Sequence, residues 1–142
     1  MDYREYAKDL LRRKNALSSA YKVICGELES LEQERSSCKA SMMNNDAESR
    51  RYEELLVNIL ARIEDCRIRR KVVERELMMI EQGMNGLSDY QKDLIESFFV
   101  SRHMGVCEEL IEKYFRERSG IYRDRNRALE QFTRSVYGVL QL

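Results

Sequence analysis

The chain has 142 residues with no proline and six glycines, and its 25 basic and 25 acidic side chains cancel. A neutral sum excludes any argument from bulk charge for a nucleic-acid or acidic partner. The 35% of charged residues, with Leu common and breakers scarce, points to long helices or a coiled coil, because Glu, Arg, Lys and Leu are strong helix formers.

The helical pattern starts at once. Tyr3, Leu10, Leu17, Ile24, Leu31 and Cys38 recur every seven residues, and Ala7, Lys14, Tyr21, Leu28 and Arg35 follow each by four. Alternating steps of three and four put both series on one helix face, which is the coiled-coil criterion. Lys14 and Arg35 interrupt that seam. Residues 52 to 84 repeat the pattern through Tyr52, Ile59, Cys66, Val73 and Ile80 with Leu56, Ile63, Arg70, Leu77 and Met84. Asn44, Asn45 and Asp46 between the two runs are turn and N-cap types. So short a connection predicts antiparallel neighbours. Leu31 then faces Leu56, Ile24 faces Ile63, Leu10 faces Leu77 and Tyr3 faces Met84, with Leu17 against Arg70 as the mismatch. The arm would be roughly 50 Å long. Leu55, Leu60, Ile68, Val72, Met78, Met79, Leu11, Val23 and Tyr6 fall off the seam. That surface calls for a partner, either a second copy in a four-helix bundle or the C-terminal part of the chain.

The pattern breaks at residues 81 to 91, where Gly83 and Gly86 suit a helix end and a tight connection. Ser88 and Gln91 have capping-box spacing, so a new helix should begin there and carry Tyr90, Leu94, Ile95, Phe98 and Phe99. A stop near residues 101 to 105 is followed by a short helix with Val106, Leu110, Ile111, Tyr114 and Phe115. After residues 117 to 120 a last helix runs from about Ile121 to Val139, with Ser119 as its cap. The expected fold is all-α: a long antiparallel coiled-coil hairpin over 1–84 and a three-helix, helix-turn-helix-like module over 87–142.

Composition and spacing offer no catalytic arrangement, and the protein is expected not to be an enzyme. His103 is the single histidine, and Cys25, Cys38, Cys66 and Cys107 form no CxxC pair, so neither a metal nor a cofactor is expected. The cysteines read as reduced, mostly buried thiols of a cytoplasmic protein. Residues 1 to 14 carry no signal-peptide core, and no stretch approaches the ~20 apolar residues of a membrane span. Glu108 and Glu109 begin a short helix, where acids complement the helix dipole.

The last helix carries the informative charge. Between Arg116 and Arg134 six arginines face three acids, Glu117, Asp124 and Glu130. A short glycine-containing turn before a longer helix is a helix-turn-helix layout, with the second helix reading DNA. Arginine reaches phosphates and guanine edges in bidentate fashion. The segments GLSDYQKDLIESFF, VCEELIEKYF and SGIYRDRNRALEQF resemble the region-4-type helix-turn-helix of sigma factors and, more closely, phage-encoded transcriptional regulators of the ArpU/RinA kind. The resemblance covers about residues 86 to 140 and rests on Ser119, Tyr122, Arg123, Arg125, Ala128 and Leu129. In those regulators the turn holds a small residue and a glycine, whereas here Glu112, Tyr114 and Phe115 stand in that stretch.

The resemblance implies a phage or prophage transcription regulator that binds double-stranded DNA, with RNA polymerase or another host protein as a second partner. Arg118, Ser119, Tyr122, Arg123, Arg125, Asn126 and Arg127 are the expected DNA-contacting residues, and the hairpin would make a homodimer with two half-sites. The alternative is a protein-binding module with no DNA role, for example a phage-encoded inhibitor of a host defence protein. It is favoured by the zero net charge of residues 87–142 and by the length of the arm. A continuous positive strip on the last helix favours DNA, and neutralisation by Glu117, Asp124 and Glu130 favours a protein partner.

Overall fold

The structure is a computed structural model that describes the backbone of residues 1–42 and 46–142 and the side chains of residues 1–41 and 49–142. Asn44 and Asn45 of the expected turn lie outside the described residues, as does the side chain of Asp46. Among the described residues the fold is all-α: α1 (Tyr3–Arg12), α2 (Lys14–Met42), α3 (Asp46–Asn85), α4 (Asp89–Ile95), α5 (Val106–Tyr114) and α6 (Arg118–Tyr137). A π-helical segment, Glu96–Ser101, prolongs α4. No described helix is long and apolar enough to cross a membrane.

The chain forms two compact units: Ser18–Arg75, and Met1–Leu17 together with Glu76–Leu142. This division differs from the expected 1–84 and 87–142, because both ends of the arm belong with the C-terminal helices.

In the unit Ser18–Arg75, α2 and α3 meet along the heptad seam. Ile24, Leu31 and Cys38 of α2 form one buried cluster with Ile59, Ile63 and Cys66 of α3, flanked by Leu28, Tyr52, Leu56 and Val73. Ascending numbers on α2 meet descending numbers on α3. The Cys38 thiol lies 3.2 Å from the Tyr52 carbonyl, and Arg69 donates to Glu27 at 3.2 Å. Arg67 and Arg35 both reach Glu32, at 3.3 Å and 2.6 Å. The charged seam residues Arg35 and Arg70 thus settle on acids one turn away, Glu32 and Glu74. Burial pushes the Cys66 thiol above its ordinary pKa. All four cysteines are free.

In the other unit, the pattern expected as one helix breaks at Arg13. Asp2 caps α1 by accepting from the Arg4 and Glu5 amides, and the Arg13 amide points back at Asp9, Leu10 and Leu11. α1 lies on α6 and on the π-helical segment. Tyr3 and Tyr6 cluster with Tyr137, with Tyr3–Tyr137 centroids 5.6 Å apart. Leu10 and Leu11 are buried there. The seam lysine Lys14 pairs with Glu96, and Arg13 pairs with Glu76.

The end of α3 presses on α6 at Gly83. A Cβ built there would lie 2.4 Å and 2.5 Å from two ring carbons of Phe132 and 2.7 Å from Val136. Gly83 is therefore a close-approach residue inside α3 and does not end the helix, which runs on to Asn85. Gln82 and Gln131 tie the same junction by donating to the Ser135 and Gly86 carbonyls.

Candidate nucleic-acid interface

Helices α4, α5 and α6 enclose a small core of Leu94, Val106, Cys107, Leu110 and Ile121, flanked by Tyr90, Phe98, Ile111, Tyr114 and Tyr122. The capping box at the start of α4 is formed as spaced: Ser88 Oγ accepts from the Gln91 amide at 3.2 Å, and Gln91 Oε1 accepts from the Ser88 amide at 3.0 Å. The α5–α6 turn is unusual. Phe115 ends α5 with φ +53° and is 94% exposed. That backbone normally takes glycine.

The polar groups behind α6 are tightly paired. Tyr90 donates to Asp124 Oδ2 at 2.8 Å, and Arg116 reaches the same oxygen at 3.2 Å. The Arg116 guanidinium also lies 5.0 Å from the Tyr90 ring centre. Burial, helped by the Asp124 hydrogen bond, pushes the Tyr90 phenol up to about 12 from 10. Burial works to raise the Asp93 carboxyl, but hydrogen bonds from Lys113 and Tyr114 outweigh it and hold Asp93 below its usual value.

The raised Tyr90 value has a consequence for stability. A phenol raised in the folded state favours folding fully below its unfolded value of 10 and loses that contribution as pH rises toward about 12. An ultraviolet titration should show one of the eight tyrosines ionising near 12, and Tyr90→Phe should remove that step.

α6 begins at Arg118 instead of near Ile121 and ends at Tyr137. Its N-cap is Glu117, in extended conformation and without a side-chain cap bond, so Ser119 does not cap the helix. Ser119 is the second helical residue and is exposed. The expected contact residues separate into three groups. Arg118 pairs with Glu108 of α5 at 2.7 Å, and the contact lowers the Glu108 pKa. Tyr122 and Arg125 turn toward the π-helical segment. Tyr122 lies 5.7 Å from Phe98, and the Arg125 guanidinium sits 4.8 Å from the Tyr122 ring and 5.1 Å from the Phe98 ring. Arg125 also holds the Asn126 side chain through two hydrogen bonds, at 3.2 Å and 3.0 Å. Asn126 lies beside Arg4 and Lys8 of α1. The third group, Arg123 and Arg127, is exposed and makes no ion pair.

At 100° per residue, Arg123, Arg127 and Arg134 fall within about 40° of one another on the outward face of α6, spread over about 16 Å. Arg134 belongs to this row although the sequence reading placed it only in the basic run. The acids of the helix are spent elsewhere: Asp124 on Tyr90 and Arg116, and Glu130 on Arg4 at 2.9 Å. Arg4 is the residue that sequence reasoning had no means of finding, because it lies 126 positions from its partner. Of the three acids expected to neutralise the strip, only Glu117 remains without an ion pair, at the end of α6 away from Arg134.

Among the described residues no group of histidine, cysteine and acidic side chains is arranged to hold a metal ion. His103 meets Glu109 at 2.7 Å, a surface contact at the start of α5. Comparison with protein-family models, with curated protein sequences and with solved structures yields no match to this chain.

Proposed function

We propose that this chain binds double-stranded DNA through the outward face of α6, with Arg123, Arg127 and Arg134 on backbone phosphates, and acts as a transcription regulator of the phage type. One observation supports this above the others. Three arginines share a solvent face on which the one acid, Glu130, is held by Arg4, while Asp124 is held by Arg116. Desolvating an uncompensated arginine against phosphate releases counterions and breaks no existing ion pair. Arg118, Tyr122, Arg125 and Asn126 act one step back, since each already has a partner within the module. RNA polymerase or another host protein would be the second partner, and two copies would supply two half-sites.

The test is fluorescence anisotropy with mixed-sequence duplex at two salt concentrations. Three phosphate contacts per copy give affinity that falls roughly 40-fold between 50 and 200 mM salt. Arg123→Glu/Arg127→Glu should stay folded, because both side chains are exposed, and should lose binding. Absence of binding by the unaltered chain at low salt overturns the reading.

A second reading, a protein-binding module with no DNA role, is favoured by Phe115 and Met104, which are 94% and 97% exposed. Bare apolar side chains of this kind serve as anchors in protein interfaces. The same titration separates the two readings, because a protein-binding module shows no salt-dependent attraction to duplex.

A further inference from the structure

The unit Ser18–Arg75 leaves one long helix face uncovered. On α3, Val57, Ala61, Ile68 and Val72 fall within about 60° of one another at 100° per residue, on the side opposite the buried residues Ile59, Ile63 and Cys66. Val57, Ile68 and Val72 are 65%, 56% and 58% exposed, and Leu60 borders them. The outward side of α2 is different. Ser19, Lys22, Glu29, Ser30, Gln33, Glu34 and Ser37 are exposed there, and Val23 is the one large apolar residue among them. The apolar surface is thus a property of α3 alone.

Charge selects what covers it. The stripe carries Glu53 and Glu54 at its N-terminal end and Lys71 and Arg75 at its C-terminal end, all four exposed and none in an ion pair. The other basic residues of this stretch are differently placed: Arg67 and Arg69 are drawn back to Glu32 and Glu27 on α2, Arg70 meets Glu74, and Arg62 lies off the stripe. A helix face that is acidic at one end, basic at the other and apolar between except for Glu64 at its middle is complementary to itself at its ends when inverted. A parallel pairing would set acids on acids and bases on bases.

We infer that a second copy of this chain covers the stripe, α3 against α3, antiparallel, about a twofold axis between Glu64 and Asp65. In that register Val57 meets Val72 of the other copy, Ala61 meets Ile68, and Glu54 meets Arg75. The overlap from Glu54 to Arg75 is about 30 Å long. At the axis, Asp65 is already held by Arg69 at 2.9 Å, whereas Glu64 is exposed and unpaired and stands beside its counterpart in the other copy. Glu64→Gln should relieve that like-charge contact and strengthen the dimer. Arg50 lies a turn beyond the overlap. An isologous contact of this kind closes on two copies and does not propagate. The inference deepens the two-copy part of the proposed function and rests on it, but it needs no DNA.

Sedimentation velocity of the full chain without DNA tests it. The unaltered chain should sediment as a dimer that dissociates on dilution. Val57→Asp/Ile68→Asp should be monomeric with unchanged helix content, while Val23→Asp, equally exposed but on α2, should leave the dimer intact. Glu54→Arg and Arg75→Glu should each weaken association about tenfold, since each turns two attractive pairs into repulsive ones. Combined in one chain, they should restore it. A chain that is monomeric at its highest soluble concentration overturns the inference. So does a Val23→Asp chain that loses the dimer as fully as the α3 variant, or a charge-swapped double variant that stays weak. A monomer that still binds duplex overturns this interface and leaves the DNA reading standing.

Discussion

Phe132→Ala should cost about 3–5 kcal/mol of unfolding free energy, the largest single-residue loss expected in the chain. Phe132 is fully buried on α6 and is the residue against which the end of α3 closes at Gly83. Truncation removes a ring's worth of buried apolar surface. It also opens a space between two helices that are tied on both sides by the Gln82–Ser135 and Gln131–Gly86 hydrogen bonds and so cannot easily close over it. Urea unfolding followed by circular dichroism measures the loss. A change under about 1 kcal/mol would mean that the junction is loosely packed and that the site gives way without cost.

Gly83→Ala should destabilise the protein by about 1–3 kcal/mol. The sign is the informative part. In a helix open to solvent the same change would stabilise by roughly 1 kcal/mol, because alanine has the higher helix propensity. Here the added methyl would stand 2.4 Å from the Phe132 ring, closer than any carbon contact allows, so either the ring or the helix must move. The two substitutions should be coupled: Gly83→Ala should cost much less in a Phe132→Leu background, where the space is partly vacant. A double-mutant cycle reads that coupling directly. Additive effects would place the clash somewhere other than this contact.

These two residues also show where sequence reading stops. The periodic positions were legible. Ile24, Leu31, Cys38, Ile59, Ile63 and Cys66, which form the buried cluster of the arm, are all seam positions of the 3–4 repeat. The capping box at Ser88 and Gln91 was legible for the same reason, since its partners lie three residues apart. Gly83 was not. A glycine near a predicted break looks like a helix end, and only the position of Phe132, 49 residues away, makes it a point of close approach. Lys14 looked like a flaw in the seam, and its partner Glu96 lies 82 positions along the chain.

The candidate interface divides along the same line. Its composition, six arginines against three acids, was plain from the sequence, but which charges are free was not. Tyr122 and Arg125 are drawn away from the arginine row by Phe98 on the π-helical segment, a ring partner with no local signature, and Arg125 in turn holds Asn126. Ser119 had the right chemistry for a cap. However, the chain leaves Phe115 in the left-handed region and extends at Glu117, so the helix starts one residue before Ser119. The π-helical segment Glu96–Ser101 has no sequence mark at all.

The central claim is that Arg123, Arg127 and Arg134 touch phosphate and Arg125 does not. The slope of log affinity for duplex DNA against log salt, measured for single alanine substitutions, tests it most directly. Each of Arg123→Ala, Arg127→Ala and Arg134→Ala should make the slope shallower by about 0.9. Arg125→Ala should leave the slope unchanged, because its guanidinium is spent on Phe98 and Tyr122. Slopes unaltered by the three row substitutions, or altered equally by Arg125→Ala, would contradict the assignment of the α6 face to DNA.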